Sequence, residues 1–319
     1  MAAFTTFSPE ALDRYVAMFD IGDVVDATPI EAGIENSNYF VTLEANDSQF
    51  EFVLTITEDL DFDEIPFFND LLSLLDRRGV PVPNPERTLD GMAGTIFCGK
   101  PAWLFPRLPG IHHETATIAA CEAIGTALAD IHIEAAAARF SRDNPYGSAW
   151  AIQTMADQGH RLPVHDGEMI RELNDAYAQV ESDATLPRGI IHGDLFKDNA
   201  LFQDGMLTGV IDFYHACTDF LVQDVAITLN AWATDPDGKL DLGLARALIT
   251  GYESKRTLSA AEVDMLPFFR RVGATRFVLT RLLSGEDGST LKDPDEFLRI
   301  LTQVDDEVRP LFDRADRTS

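Results

Sequence analysis

The residue types that could do chemistry are concentrated in one stretch, Ile190-Ile191-His192-Gly193-Asp194-Leu195-Phe196-Lys197-Asp198-Asn199, and in Gly209-Val210-Ile211-Asp212-Phe213 shortly after it. Asp194 supplies a carboxylate that can accept a proton or orient a hydroxyl. Asn199 and Asp212 supply the oxygen donors that a hard divalent cation prefers. Phosphoryl transfer requires both functions, because an ion must be held on the nucleotide phosphates while a carboxylate receives the proton of the attacking hydroxyl. An Asp with an Asn five places on means little by itself in a chain with 53 acidic residues, where such pairs usually cap surface turns. The signal is the combination of a strand, His-Gly-Asp, the Asn and a buried-type Ile-Asp-Phe.

Local elements must bring these groups together. Residues 199–203 and 206–212 read as two short apolar strands joined by Asp204-Gly205, a dipeptide suited to a tight hairpin turn. Folding that hairpin carries Asn199 and Asp212 to its open end, and the loop before it delivers Asp194. His-x-Asp-x-x-x-x-Asn has the spacing of a kinase catalytic loop, and Ile211-Asp212-Phe213 stands where Asp-Phe-Gly would stand. His192 is expected to orient the loop rather than to react.

A length of 319 residues exceeds one average domain and favours two lobes, and a hydrophobic share of 45% is ample for packed cores. The formal charge of −28 and a pI near 4.4 argue against nucleic acid or an anionic membrane as partner, since both need a basic face. Cys98, Cys121 and Cys217 lack metal-ligand spacing and read as small core residues of a reduced protein. The first residues show no basic segment leading into an apolar run, and no uncharged apolar stretch is long enough for a bilayer. The expectation is a soluble, cytoplasmic protein.

Taken in order, Ser8-Pro9-Glu10 opens a helix whose apolar face is Leu12, Tyr15, Val16 and Phe19. From Val24 to Ile56 the apolar period shifts toward two, with strands over 38–43 and 50–56 around the turn residues Ala45-Asn46-Asp47-Ser48. The polar loop Glu31 to Asn38, poor in glycine, reads either as an ordinary turn or, in a kinase N-lobe, as the loop that covers the nucleotide. A helix follows over 64–75, then strands over 93–97 and 101–105, and Pro106-Arg107-Leu108-Pro109-Gly110 marks a boundary. Beyond it helices are expected over 115–138, 149–158, 167–182 and 219–232, with a helical tail from Leu240. His132 falls on the apolar stripe of the first of these and reads as a packing residue. Asp224 is expected to brace the catalytic loop through backbone N–H groups. Arg270, Arg271, Arg276 and Arg281 cluster near the end, where they could pair with acids or clamp a carboxylate or phosphate.

Several runs extend the pattern beyond the catalytic loop. They are Gly33-Ile34-Glu35-Asn36-Ser37-Asn38-Tyr39-Phe40, Phe52 to Ile56, Ile65-Pro66-Phe67-Phe68, Arg78 to Pro83, Leu186 to His192, Asp212 to Asp219, Asn230-Ala231-Trp232 and Arg276 to Leu282. Together these runs resemble the aminoglycoside phosphotransferase and choline kinase superfamily, and within it the bacterial homoserine kinases. The resemblance implies an α+β, two-lobed protein-kinase-like fold, with an antiparallel-sheet N-lobe over residues 1–106 and a mainly helical C-lobe over 107–319. It implies ATP and Mg²⁺ as cofactors and L-homoserine as the acceptor, phosphorylated on its hydroxyl on the route to threonine. Asp194 becomes the catalytic carboxylate and Asn199 and Asp212 the metal ligands. Gly33, Ser37 and Asn38 belong to the loop over the phosphates, and Phe105 and Arg107 to the hinge that holds adenine through backbone groups. One departure stands out: the third strand carries Thr55 where kinase-like folds place a lysine or arginine, and Lys197 is the nearest cation in sequence to offset the phosphate charge.

Homoserine is a zwitterion and needs opposite charges in its site. Asp219, Asp224 or Asn230 are the candidates for its ammonium, and Arg276 or Arg281 for its carboxylate. Choline would instead require an aromatic cage, to which Tyr214 and Trp232 could contribute, and an aminoglycoside a broad acidic cleft. A nucleotide-binding scaffold without catalysis is the rival from another class, motivated by Thr55 and opposed by the intact Asp194, Asn199 and Asp212. The acidic excess itself makes a prediction: if it is a solvated surface whose self-repulsion opposes folding, added salt raises Tm. A Tm indifferent to salt in a thermal scan would remove that reading.

Overall fold

The computed structural model describes residues 5–30, 36–182, 185–284, 295–303, 308 and 311–312. The chain divides into two compact units, Met1–Gly110 with Thr208–Tyr214, and Ile111–Leu207 with His215–Ser319. The first unit runs to Gly110, the last residue of the Pro106 to Gly110 stretch, and a short later segment joins it.

In the first unit α1 (Pro9–Val16) starts with Ser8 accepting the Ala11 N–H and Pro9 in its first turn, and it buries Leu12, Tyr15 and Val16. Then come β1 (Asp23–Pro29), β2 (Asn36–Ala45), β3 (Ser48–Thr57), α2 (Ile65–Arg77), β4 (Thr95–Phe97) and β5 (Lys100–Pro106). The strands form one antiparallel sheet in the order β1-β2-β3-β5-β4. Asn46 and Asp47 both adopt positive φ, 51° and 59°, which lets β2 turn directly into β3. Side-chain alternation sends Tyr39, Val41 and Leu43 of β2, with Phe52, Leu54 and Ile56 of β3, into one core with Leu12, Tyr15 and Val16. Neighbouring β2 residues Asn38 and Phe40 point to the other face.

The second unit is mostly helical: α3 (Ile118–Ala135), α4 (Ser148–Gln158), α5 (Val164–Val180), α6 (Leu221–Trp232), α7 (Leu242–Glu253), α8 (Ala260–Ser284) and α9 (Asp295–Thr302). Between α5 and α6 lie β6 (Arg188–Ile191), β7 (Ala200–Gln203), β8 (Met206–Val210) and β9 (Cys217–Phe220). β6 pairs antiparallel with β9, and β7 with β8 across Asp204 and Gly205, whose φ angles of 52° and 78° make the expected hairpin turn. β9 is a strand that the sequence reading misses, since a four-residue segment is too short to display a period before the apolar helix takes over. Cys121 and Cys217 are buried as expected, whereas Cys98 is exposed at a φ of 53° in the β4–β5 turn, so it is not a core residue. Among the described residues no helix is long and apolar enough to cross a membrane.

Helices α3 and α7 meet through a reciprocal pair of glycines. A Cβ on Gly125 would run into the Leu248 carbonyl, and one on Gly251 into the Glu122 carbonyl. Alanine at Gly251 would gain about 1 kcal/mol of helix propensity, but it must push two backbones apart. Gly251→Ala is therefore expected to lower stability by a net ~1–3 kcal/mol, read as a lower urea midpoint with an unchanged m-value.

Candidate active site

In the second unit β6 ends at Ile191 and the chain enters the catalytic loop, where His192 is fully buried and Gly193 takes a φ of 77°. Asp224, in the first turn of α6, is also fully buried. Its carboxylate accepts the His192 N–H at 2.7 Å and the Gly193 N–H at 2.8 Å. The Asp194 N–H donates to His192 Nδ1 at 3.2 Å, so the histidine ring orients the loop from within. Trp232, at the far end of α6, donates its Nε1–H to the Leu195 carbonyl at 3.0 Å. One helix thereby fixes the loop on both sides of Asp194.

Asn199 closes the loop from its other end. Its Nδ2 donates to the Asp194 carbonyl at 2.8 Å and to Asp194 Oδ2 at 3.0 Å. Both bonds use the amide nitrogen, which leaves the amide oxygen as the atom able to meet a cation. Lys197 lies in the one-turn helix Lys197–Asn199 and is half-buried. Burial pushes the Cys121 thiol up to about 11, with Asp241 adding to the shift and Lys197 opposing it.

Asp224 has a second set of partners. His132 of α3 meets its Oδ2 through Nε2 at 3.0 Å and meets the Tyr252 hydroxyl through Nδ1 at 2.8 Å. Tyr252 in turn accepts from Arg256 at 3.0 Å, and Arg256 pairs with Glu262 at 2.8 Å. Burial alone would raise the Asp224 carboxyl; the hydrogen bond and charge of His132, with His192 and the Gly193 N–H, hold it below the usual carboxylate range. His132 is a support for the loop that sequence reasoning placed only as a helix-packing residue. No local signal links it to Asp224, 92 positions away.

In the first unit, alternation separates two residues expected to act together. Ser37 is fully buried, donates to Glu58 at 2.5 Å and accepts the Thr5 N–H at 2.8 Å, on the face that packs against α1. Asn38 lies on the opposite face, where its Oδ1 accepts from Thr55 at 2.7 Å. The Ser37 side chain is thus committed to the core side, and Asn38 shares its face with Thr55. Gly33 lies outside the described residues. Phe105 is buried in β5 opposite Val53, and Arg107 donates its N–H to the Glu51 carbonyl, pairs with Glu51 at 3.1 Å and covers the Phe40 ring. The Arg107 N–H is therefore spent on β3 and is not available to adenine. Asp212 follows β8 at a φ of 64°, and Tyr214, two residues on, packs 5.7 Å from Phe68 and 5.5 Å from Trp103 between ring centroids.

The expected substrate residues prove to be well occupied. Asp224 spends its oxygens on the loop and on His132. Asn230 exchanges hydrogen bonds with Arg270, giving Nδ2 to its carbonyl at 2.7 Å and taking its Nε–H at 3.0 Å. Arg281 pairs with Glu296 at 3.1 Å and lies over Phe297. Asp219 accepts from Asn144 at 2.5 Å, Tyr177 at 3.2 Å and the Phe220 N–H at 2.7 Å, and burial raises its carboxyl despite them. These contacts tie all four to neighbouring protein groups. Arg276 differs, because its Nη1 donates to the Gly193 carbonyl beside Asp194.

Comparison with known proteins identifies the family and the fold. A model of the phosphotransferase enzyme family matches residues 26–258. The chain is 37% identical to homoserine kinase of Pseudomonas aeruginosa, across 95% of this chain and 96% of that protein. It is 39% identical to homoserine kinase of Gluconacetobacter diazotrophicus, across 94% and 96%. Among solved structures, an amicoumacin kinase in complex with AMP-PNP, Ca²⁺ and Ami superposes with a TM-score of 0.73 at 16% identity, over 96% of this chain and 93% of that one. A spectinomycin phosphotransferase with ADP and spectinomycin gives 0.65 at 13%, over 97% and 99%. These two show the shared fold.

The buried Asp224 makes a pH-dependent prediction. Its depressed pKa stabilises the folded state above the unfolded value of about 3.9, and that stabilisation is lost as pH falls through the folded value. Asp224→Asn should cost about 3–5 kcal/mol near neutrality. In urea titrations the gap to wild type should stay constant above about pH 4 and narrow in stronger acid. A gap that widens in acid would contradict the assignment.

Proposed function

The chain belongs to the phosphotransferase enzyme family, and we propose that it transfers the γ-phosphoryl group of ATP to the hydroxyl of L-homoserine, giving O-phospho-L-homoserine on the route to threonine. The observation that supports the chemistry is the Asn199–Asp194 pair, in which one amide both fixes the carboxylate and keeps an oxygen in reserve. Support for the acceptor comes from the full-length likeness to homoserine kinases.

In this reading Asp194 accepts a hydrogen bond from the homoserine hydroxyl and takes its proton as the oxygen–phosphorus bond forms. The bond from the γ-phosphorus to the β–γ bridging oxygen breaks, and ADP leaves. Asp194 has to be aimed rather than made strongly basic, since phosphoryl transfer depends mostly on positioning and charge. Aim is what the bonds from Asn199, His192 and Asp224 provide.

Asn199 and Asp212 would hold Mg²⁺. Their donors, an amide oxygen and a carboxylate, suit an ion that takes a few protein oxygens and completes its shell with phosphate and water. When bound, the ion would neutralise charge on the β- and γ-phosphates. In the first unit, the loop containing Gly33 and the Asn38 face of the sheet would cover the nucleotide. Thr55 offers a hydroxyl where related folds place a cation, so Lys197 remains the cation proposed to assist the phosphates. Backbone groups of the Phe105 to Leu108 segment, the Arg107 N–H excepted, would receive adenine.

A coupled assay of ADP release with Mg²⁺ and ATP tests the reading, comparing L-homoserine with L-serine, choline and kanamycin. L-Homoserine should be preferred, and Asp194→Ala should lower turnover by about 10²- to 10⁴-fold with Tm little changed. Turnover of a different alcohol would keep the chemistry and replace the substrate, and an Asp194→Ala variant with full activity would refute the base.

A further inference from the structure

Arg276 sits on α8, 83 positions after the loop it touches, and its surroundings fit a support rather than a substrate clamp. Its Nη1 donates to the Gly193 carbonyl. The guanidinium carbon lies 4.3 Å from the Tyr146 ring centroid and 4.8 Å from that of Phe277, so aromatic faces bound the group. The residue is 7% exposed, and Nε is fully buried with no hydrogen-bond partner. A bidentate grip on a carboxylate through Nε and Nη2 would need that edge open to the substrate.

The Gly193 carbonyl belongs to the peptide that also carries the Asp194 N–H. His192 Nδ1 holds that N–H, and Arg276 holds the carbonyl at the opposite edge of the same plane. The two preceding N–H groups are held by Asp224. Each peptide plane leading into Asp194 is thus held by a side chain, with an anion taking N–H groups and a cation taking the carbonyl. Gly193 allows the approach: a Cβ there would lie 3.1 Å from the His215 carbonyl oxygen and 3.5 Å from Arg276 Nη1.

We propose that Arg276 is a positioning residue that acts through the Gly193 carbonyl to aim the Asp194 carboxylate, rather than the site of substrate-carboxylate binding. The proposal rests on the reading of Asp194 as the catalytic group and is independent of which alcohol is phosphorylated. Loss of the guanidinium frees the peptide plane to rotate and moves Asp194 without removing a group that grips either substrate. Turnover should then fall with both KM values little changed.

The experiment uses Arg276→Met and Arg276→Lys in the full chain, with Tm recorded for each. Steady-state kinetics with ATP and L-homoserine separate kcat from the two KM values, and ATP hydrolysis without any acceptor gives a reading in which no substrate carboxylate is present. Positioning predicts a fall in kcat of about 10- to 100-fold for Arg276→Met, a matching fall in acceptor-free hydrolysis, and partial recovery in Arg276→Lys, whose ammonium can still donate to the carbonyl. A raised KM for L-homoserine with kcat and acceptor-free hydrolysis intact overturns the proposal and makes Arg276 the carboxylate clamp. If Arg276→Met does not fold, Arg276→Lys decides by the same split. If wild type hydrolyses ATP but ignores L-homoserine, the acceptor assignment fails and the hydrolysis arm alone still supports or overturns the positioning role.

Discussion

Asp224 is fully buried, and an uncompensated charge in that position would cost several kcal/mol, so its surroundings are dictated by the need to satisfy it. Two of its partners are backbone N–H groups of the loop that carries Asp194, and another is His132. The same bonds that make the carboxylate tolerable thus fix the catalytic loop. Unfolding the loop would strand the anion, and moving α6 would strand the N–H groups. Because neither can change alone, the loop is held with the rigidity of the helical core rather than the mobility usual for a loop of its length.

A different constraint governs the sheet unit. Successive residues of a strand point to opposite faces, so the run Asn36-Ser37-Asn38 cannot present all its polar groups to one ligand. Ser37 goes to the α1 side, where Glu58 joins it to Thr5 and to Lys100. Asn38 goes to the side of Thr55. The polar run therefore does two jobs, anchoring the chain before α1 at one residue and facing the other side of the sheet at the next. Tyr214 ties the segment bearing Asp212 into this unit by packing between Phe68 and Trp103.

The parts of this architecture that were legible in the sequence depend on local rules. The Asp204-Gly205 turn, the Asn46-Asp47 turn and the Ser8-Pro9 helix start follow from backbone preference, and each sits where its residues require. Backbone bracing by Asp224 was one of two roles the residue pattern offered, the other being contact with the substrate ammonium. Residues whose roles depend on long-range contact were not readable. His132 reaches Asp224 from α3, Tyr252 reaches His132 from α7, and Asn144 reaches Asp219 from before α4. Asn230 and Arg281 meet the same limit: residue type suggests charge and polarity, but only packing reveals that Arg270 and Glu296 bond to them.

The buried arginines of α8 bear on a further problem, how a chain with a formal charge of −28 accommodates an anionic nucleotide. Arg281 is matched to a carboxylate, whereas the bonded acceptor of Arg276 is the Gly193 backbone carbonyl. A guanidinium held by neutral acceptors keeps more of its field than one in an ion pair. Lysine would serve poorly at position 276, because a compact ammonium depends on strong hydration that two aromatic rings cannot replace. The planar guanidinium loses less on leaving water and recovers attraction from the ring faces of Tyr146 and Phe277. Arginine can therefore place a positive charge against the catalytic loop from inside the core.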